Sequence, residues 1–133
     1  MLFSNCKKDP DPTVQELLIG KWQLSQFIFH GVNIVKETAT NKVAFELEFK
    51  NPDDVVFKST NTDKTQTPPK DNVNTANNKY AWNGDTEMTI TASNGTESFS
   101  VTGTVTVTET KFVFDATSGD TNELFDHVEG DKL

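Results

Sequence analysis

Leu17-Leu18-Ile19-Gly20-Lys21-Trp22 ends a short apolar turn and opens a strand within one hexapeptide. Upstream, Thr13-Val14-Gln15-Glu16 fits a capping box, with a hydroxyl at the N-cap and a carboxylate three residues on, so one or two helical turns are expected. Gly20 ends them, because it accepts the positive φ that a helix C-terminus often needs. A Trp two residues beyond that Gly lays its indole across the end of a closed sheet. Gly20 and Trp22 are therefore read as structural residues.

From Lys21 onward the apolar period is two. Trp22, Leu24 and Ile28 share one face of the first strand, with Phe27 and Phe29 on the other. Val43, Phe45, Leu47 and Phe49 then alternate with Glu46, Glu48 and Lys50, the signature of one buried and one wet face. After the turn Asn51-Pro52-Asp53-Asp54, Val55 and Phe57 continue inward. Residues 59–79 are polar, rich in Thr and Asn and interrupted by Pro68-Pro69, and are read as a long loop, either a lid or disordered. Tyr80 and Trp82 resume the alternation, Asn83-Gly84-Asp85 and Asn94-Gly95 mark hairpin turns, and Met88 and Ile90 point inward between them. Thr96 to Thr108 is expected to be the longest strand, with Phe99, Val101, Val105 and Val107 inside and Gly103 marking a bend or a close packing contact. Phe112 and Phe114 follow on the next strand, and residues 121–128 are read as a weak final one. The expected architecture is all-β, an eight-stranded antiparallel up-and-down barrel behind a short helical turn, with a sandwich as the competitor.

The chain has 133 residues and suits one domain. Its net charge of -8 disfavours attraction to nucleic acid or anionic lipid, and all twelve basic residues are Lys, so the bidentate Arg clamp for a carboxylate or phosphate is missing. The lone cysteine, Cys6, excludes an intramolecular disulfide.

Leu2-Phe3-Ser4-Asn5-Cys6 resembles the end of a bacterial lipoprotein signal peptide, and Lys7-Lys8-Asp9-Pro10-Asp11-Pro12 resembles the tether that follows such a cysteine. Fully extended, that tether reaches about 20 Å. The capped turn, Gly-x-Trp and eight-strand meander resemble the lipocalin family of the calycin group. "LIGKWQL" (residues 18–24) and "YAWNGDTEMTI" (residues 80–90) bring the chain nearest to the small lipocalin-like lipoproteins of Bacteroidota. The resemblance implies a division into residues 1–12 (signal remnant, lipobox cysteine and tether) and 13–133 (barrel). It also implies lipidation at Cys6 and attachment to the outer membrane of the cell envelope, on the periplasmic or the surface face. The Arg that lipocalins pack over this Trp has no equivalent, leaving Lys111 or Lys132 as loose substitutes.

Catalytic chemistry finds little support. His30 reads as a solvated turn histidine, and Asp126-His127-x-Glu129 mixes metal-ligand types without a repeating spacing, so neither a catalytic residue nor a metal or cofactor is expected. Glu46 and Glu48 fall on the wet face, away from any cleft that glycoside hydrolysis would need. The remaining constellation is aromatic: Phe45, Phe49, Phe57, Tyr80, Trp82, Phe99, Phe112 and Phe114 all project inward. They are candidates to bind a small hydrophobic molecule at the open end, with the Tyr80 hydroxyl or Trp82 indole N–H as polar handles. Their other reading is that the rings simply fill the barrel. The leading expectation is a non-enzymatic, lipid-anchored, lipocalin-like module that binds such a ligand; the alternative is a structural or protein-interaction lipoprotein with a filled barrel.

Overall fold

The computed structural model describes residues 13–93, 95–121 and 124–133. Cys6 and the tether lie outside them. Among the described residues, a short helix, α1 (Val14–Leu18), precedes the sheet. Its capping box forms as the sequence dictates: the Glu16 amide donates to Thr13 Oγ1 at 3.1 Å, and the Thr13 amide donates to the Glu16 carboxylate at 2.9 Å.

The barrel strands are β1 (Gly20–Phe29), β4 (Asn41–Lys50), β5 (Asp54–Asp63), β6 (Lys70–Trp82), β7 (Glu87–Ser93), β8 (Ser98–Val107), β9 (Lys111–Gly119) and β10 (His127–Lys132). Each pairs antiparallel with the next, β10 returns to β1, and β1 pairs with β4, so the eight-strand meander closes on itself. Two short strands, β2 (Val32–Asn33) and β3 (Lys36–Glu37), line the edges of β1 and β4 where those two diverge toward one end. That end is the mouth; α1 and the chain terminus mark the opposite, closed end.

At the closed end the opening hexapeptide builds a floor. Gly20 takes a φ of 130° immediately after the extended cap residue Ile19, the positive φ expected of it. The last helical carbonyls then need donors from outside the helix. Trp22 Nε1 donates to the Leu18 carbonyl at 2.8 Å, and Lys132 Nζ donates to the Ile19 carbonyl at 2.8 Å. The same ammonium stands 4.6 Å from the Trp22 ring centroid, a cation–π approach made by one of the two lysines named above as loose substitutes. A Cβ at residue 20 would meet only the flexible end of the Lys132 side chain, so it is the positive φ that calls for glycine there. Lys111 is engaged elsewhere, paired with Asp131.

Several expectations are corrected. The segment read as a loop at 59–79 is mostly ladder: β5 and β6 pair without a register shift from Asp54↔Lys79 to Asp63↔Lys70, turning only over residues 64–69. Backbone bonds build this hairpin, and they do not require apolar side chains. β6, with 13 residues, is consequently the longest strand, whereas β8 has 10. In β1 the register slips opposite Glu129 and Gly130, leaving Ser25 as a bulge. The bulge reverses the parity, so Phe27 enters the core while Ile28 stays half-buried. The final strand begins at His127; Thr121 lies in a turn. The Asn83-Gly84-Asp85 hairpin forms over residues 83–86, closed by the Asn83 amide on the Glu87 carbonyl at 2.8 Å, without positive φ at Gly84. Gly103 sits under the Phe114 ring, which a Cβ would meet at 2.7 Å, opposite a bulge in β9 between Ala116 and Ser118.

Candidate functional site

The barrel interior is two tiers of aromatic rings. Toward the closed end, Trp22 and Phe49 each stand 5.6 Å from Phe112, and Phe49 stands 5.4 Å from Tyr80, ring centroid to ring centroid. Tilted and edge-on contacts at these separations are the favoured packing of aromatic pairs. Tyr80 is buried, and its hydroxyl donates to the Lys50 carbonyl at 3.0 Å. Burial, reinforced by the charges of Asp53 and Asp54, holds that phenol above its ordinary pKa. The expected polar handle is thus committed to the backbone.

Toward the mouth, Phe125 takes the centre. It is only 1% exposed, and its ring lies 5.3 Å from Phe27, 5.5 Å from Phe114 and 6.0 Å from Phe57. Phe45 stacks on Phe27 at 4.8 Å. Phe125 sits just before β10, and Leu124, Ile34 and Val35 pack on the same core. The segment carrying it is fixed on both sides: the Asp126 amide donates to the Ile28 carbonyl and the Ala116 amide to the Asp126 carbonyl, each at 2.9 Å.

Of the eight residues named from sequence, Phe49, Tyr80 and Phe112 belong to the inner tier, and Phe45, Phe57 and Phe114 surround Phe125. Trp82 is half-buried at the closed rim, near the 83–86 turn, so it does not share the mouth. Phe99 is half-buried at the start of β8, outside the packed core. Sequence reasoning missed Phe27, displaced by the bulge, and Phe125, which belongs to no strand.

Open space lies along the wall. Where β1 and β4 part, the Gln23 side chain donates to the Phe45 carbonyl at 3.0 Å in place of a ladder partner. Beside it runs a cleft of about 480 Å³ lined by Leu24, Val35, Val43 and the charged Lys36, Glu37 and Lys42. A polar groove of about 300 Å³ adjoins it on the outer face, bordered by Glu46, Lys58, Thr60 and Asp71.

The histidines also lie outside the core. His30, with φ 53°, and Gly31, with φ 75°, form the tight turn between β1 and β2. His127 sits on the outer wall between Asp115 (Nδ1 to Oδ1, 3.1 Å) and Glu129 (Nε2 to Oε2, 2.7 Å). Partial burial opposes the imidazolium, but hydrogen bonds and charge from Glu129 and Asp115 outweigh it and raise the pKa above its ordinary value. Both nitrogens are thereby committed to carboxylates, an ion-pair arrangement with no nucleophile in it. Among the described residues, no three His, Cys, Asp or Glu side chains are grouped to hold a metal ion. No helix among them is long and apolar enough to cross a membrane.

The chain matches no family model, no curated protein and no solved structure.

Proposed function

We propose that this chain is a non-enzymatic, lipid-anchored module of the cell envelope with a lipocalin-like barrel, acting through its outer surface as a structural or interaction domain rather than as a carrier. The observation that supports this reading is Phe125. A carrier needs a concave apolar site at its mouth, whereas here the candidate ligand-binding rings Phe45, Phe57 and Phe114 surround a buried phenylalanine of the chain itself. The lipid anchor belongs to the proposal through Cys6 and its tether.

Native mass spectrometry of the full-length protein purified from its own host tests the reading. The expected mass is that of the acylated chain alone; a stoichiometric lipid or pigment retained on the protein would return the barrel to the carriers. Cys6→Ala in the same host is expected to move the protein from the membrane to the soluble fraction, and unchanged partitioning would remove the anchor.

A further inference from the structure

The β5–β6 hairpin outgrows the rest of the barrel. β6 pairs with β5 from Lys70 to Lys79, but with β7 only from Lys79 to Trp82, so residues 70–78 have a neighbour on one side only. The Tyr80 amide donates toward the β5 side, to the Asp53 carbonyl at 2.9 Å. Strand alternation therefore turns the N–H and C=O groups of Asp71, Val73, Thr75 and Asn77 toward the open edge. No backbone hydrogen bond to these four groups from outside the hairpin occurs among the described residues.

Exposed edges are normally blunted by charge, proline or a bulge. This one has charges at Lys70 and Asp71, but residues 72–78 carry neither charge nor proline, and the β5–β6 register has no shift. In its middle stands Val73, 52% exposed and one of only three large apolar side chains left open to solvent among the described residues.

We propose that this edge pairs antiparallel with the same edge of a second copy of the chain, about a two-fold axis at Val73. Three features favour a second copy. In that register Val73 meets the partner's Val73 and is covered by it. On the opposite face Asn72 meets the partner's Asn74, and two carboxamides satisfy each other because each carries both donors and an acceptor. Lys70 and Asp71 fall opposite the partner's Ala76 and Thr75, so no like charges are opposed despite the net charge of -8. Pairing Asp71 with the partner's Thr75, Val73 with Val73 and Thr75 with Asp71 adds about six backbone hydrogen bonds. Because the paired residues share the outer face, the axis is perpendicular to the sheet and the two closed ends point in opposite directions. The pair thus joins copies in solution or on facing surfaces, not side by side on one membrane.

The inference takes from the proposed function only that the outer surface carries the activity, and the two fail separately: retained cargo would leave the pairing intact, and a monomer would leave the barrel without cargo. The test is sedimentation velocity of the full chain under reducing conditions, from low to high micromolar protein, with amide hydrogen exchange at both extremes. A reversible dimer is expected, with exchange at Asp71, Val73 and Thr75 slowed several-fold in the dimer. Thr75→Pro removes a donor aimed at the open edge and leaves the β5 ladder whole, so it should abolish the dimer without shifting the monomer's thermal midpoint. Val73→Lys, which sets two ammonium groups against each other, should weaken it at least tenfold. A monomer at every concentration, a dimer protected at other amides, a dimer that survives both substitutions, or protection that requires another protein would each overturn the proposal.

Discussion

The two halves of the β5–β6 hairpin share one uninterrupted ladder and differ in everything else. In the lower half Val55 is paired with Asn78 across the hairpin and with Phe49 of β4 on its other side, all three are buried, and the Phe57 ring packs against Phe125. In the upper half the same inner face continues as Asn61, Ser59, Asn72 and Asn74, with residues 70–77 exposed. The backbone pattern is thus independent of what the side chains bury, whereas stability is not. The lower half is held by packing, and the upper half by its hydrogen bonds and its covalent continuity with the lower.

This contrast can be broken most severely from within the core. Phe112→Ala, at the junction of the rings of Trp22 and Phe49, is expected to cost about 3–5 kcal/mol by loss of transfer energy and the cavity left behind. Denaturant unfolding measures it, and a loss below about 1 kcal/mol would contradict the two-tier packing. Lys132→Ala removes one exposed donor to the Ile19 carbonyl and the cation over Trp22, for about 1 kcal/mol, and Lys132→Arg should recover most of it.

The outer wall adds a dependence on pH. His127 binds its proton more tightly folded than unfolded, so its contribution is complete below the ordinary histidine pKa and is lost as pH rises through the raised folded value. Thermal midpoints should therefore decline across neutrality in the native chain. His127→Gln should flatten that decline, and an unchanged pH profile would show that the ion pairs with Asp115 and Glu129 contribute nothing. The smallest effect belongs to the upper hairpin: Asn74→Ser should change stability by no more than about 0.5 kcal/mol. A larger loss would mean that the tip supports the body.

The same contrast explains what could be read from sequence. Val43, Phe45, Leu47 and Phe49 announce their strand because alternation is visible wherever one face is buried. The ladder through Asn72, Asn74 and Thr75 buries no face and leaves no apolar alternation, with Val73 alone on it, so its sequence reads as a loop. β10 was hidden for a related reason. Its inner face presents Val128, then the buried Gly130, then the ammonium of Lys132, leaving one apolar side chain to mark it. The bulge at Ser25 depends on the register against Glu129 and Gly130, a relation between residues about a hundred positions apart. The candidate site was legible as a set of inward rings, six of which the fold brings together, but the ring that occupies its centre lies on a connecting segment. Periodicity carries no information about a single side chain inserted from a loop.

Phe125 therefore offers the most direct test of the claim that the barrel is filled by its own rings. Titration with benzene, followed by NMR of the protein, should show no saturable binding to the native protein. Phe125→Ala should fold less stably by about 3–5 kcal/mol and acquire one site, because an apolar cavity of that kind stays dry and accepts a small apolar ligand. Stoichiometric, saturable binding to the native chain, unchanged by Phe125→Ala, would contradict the account.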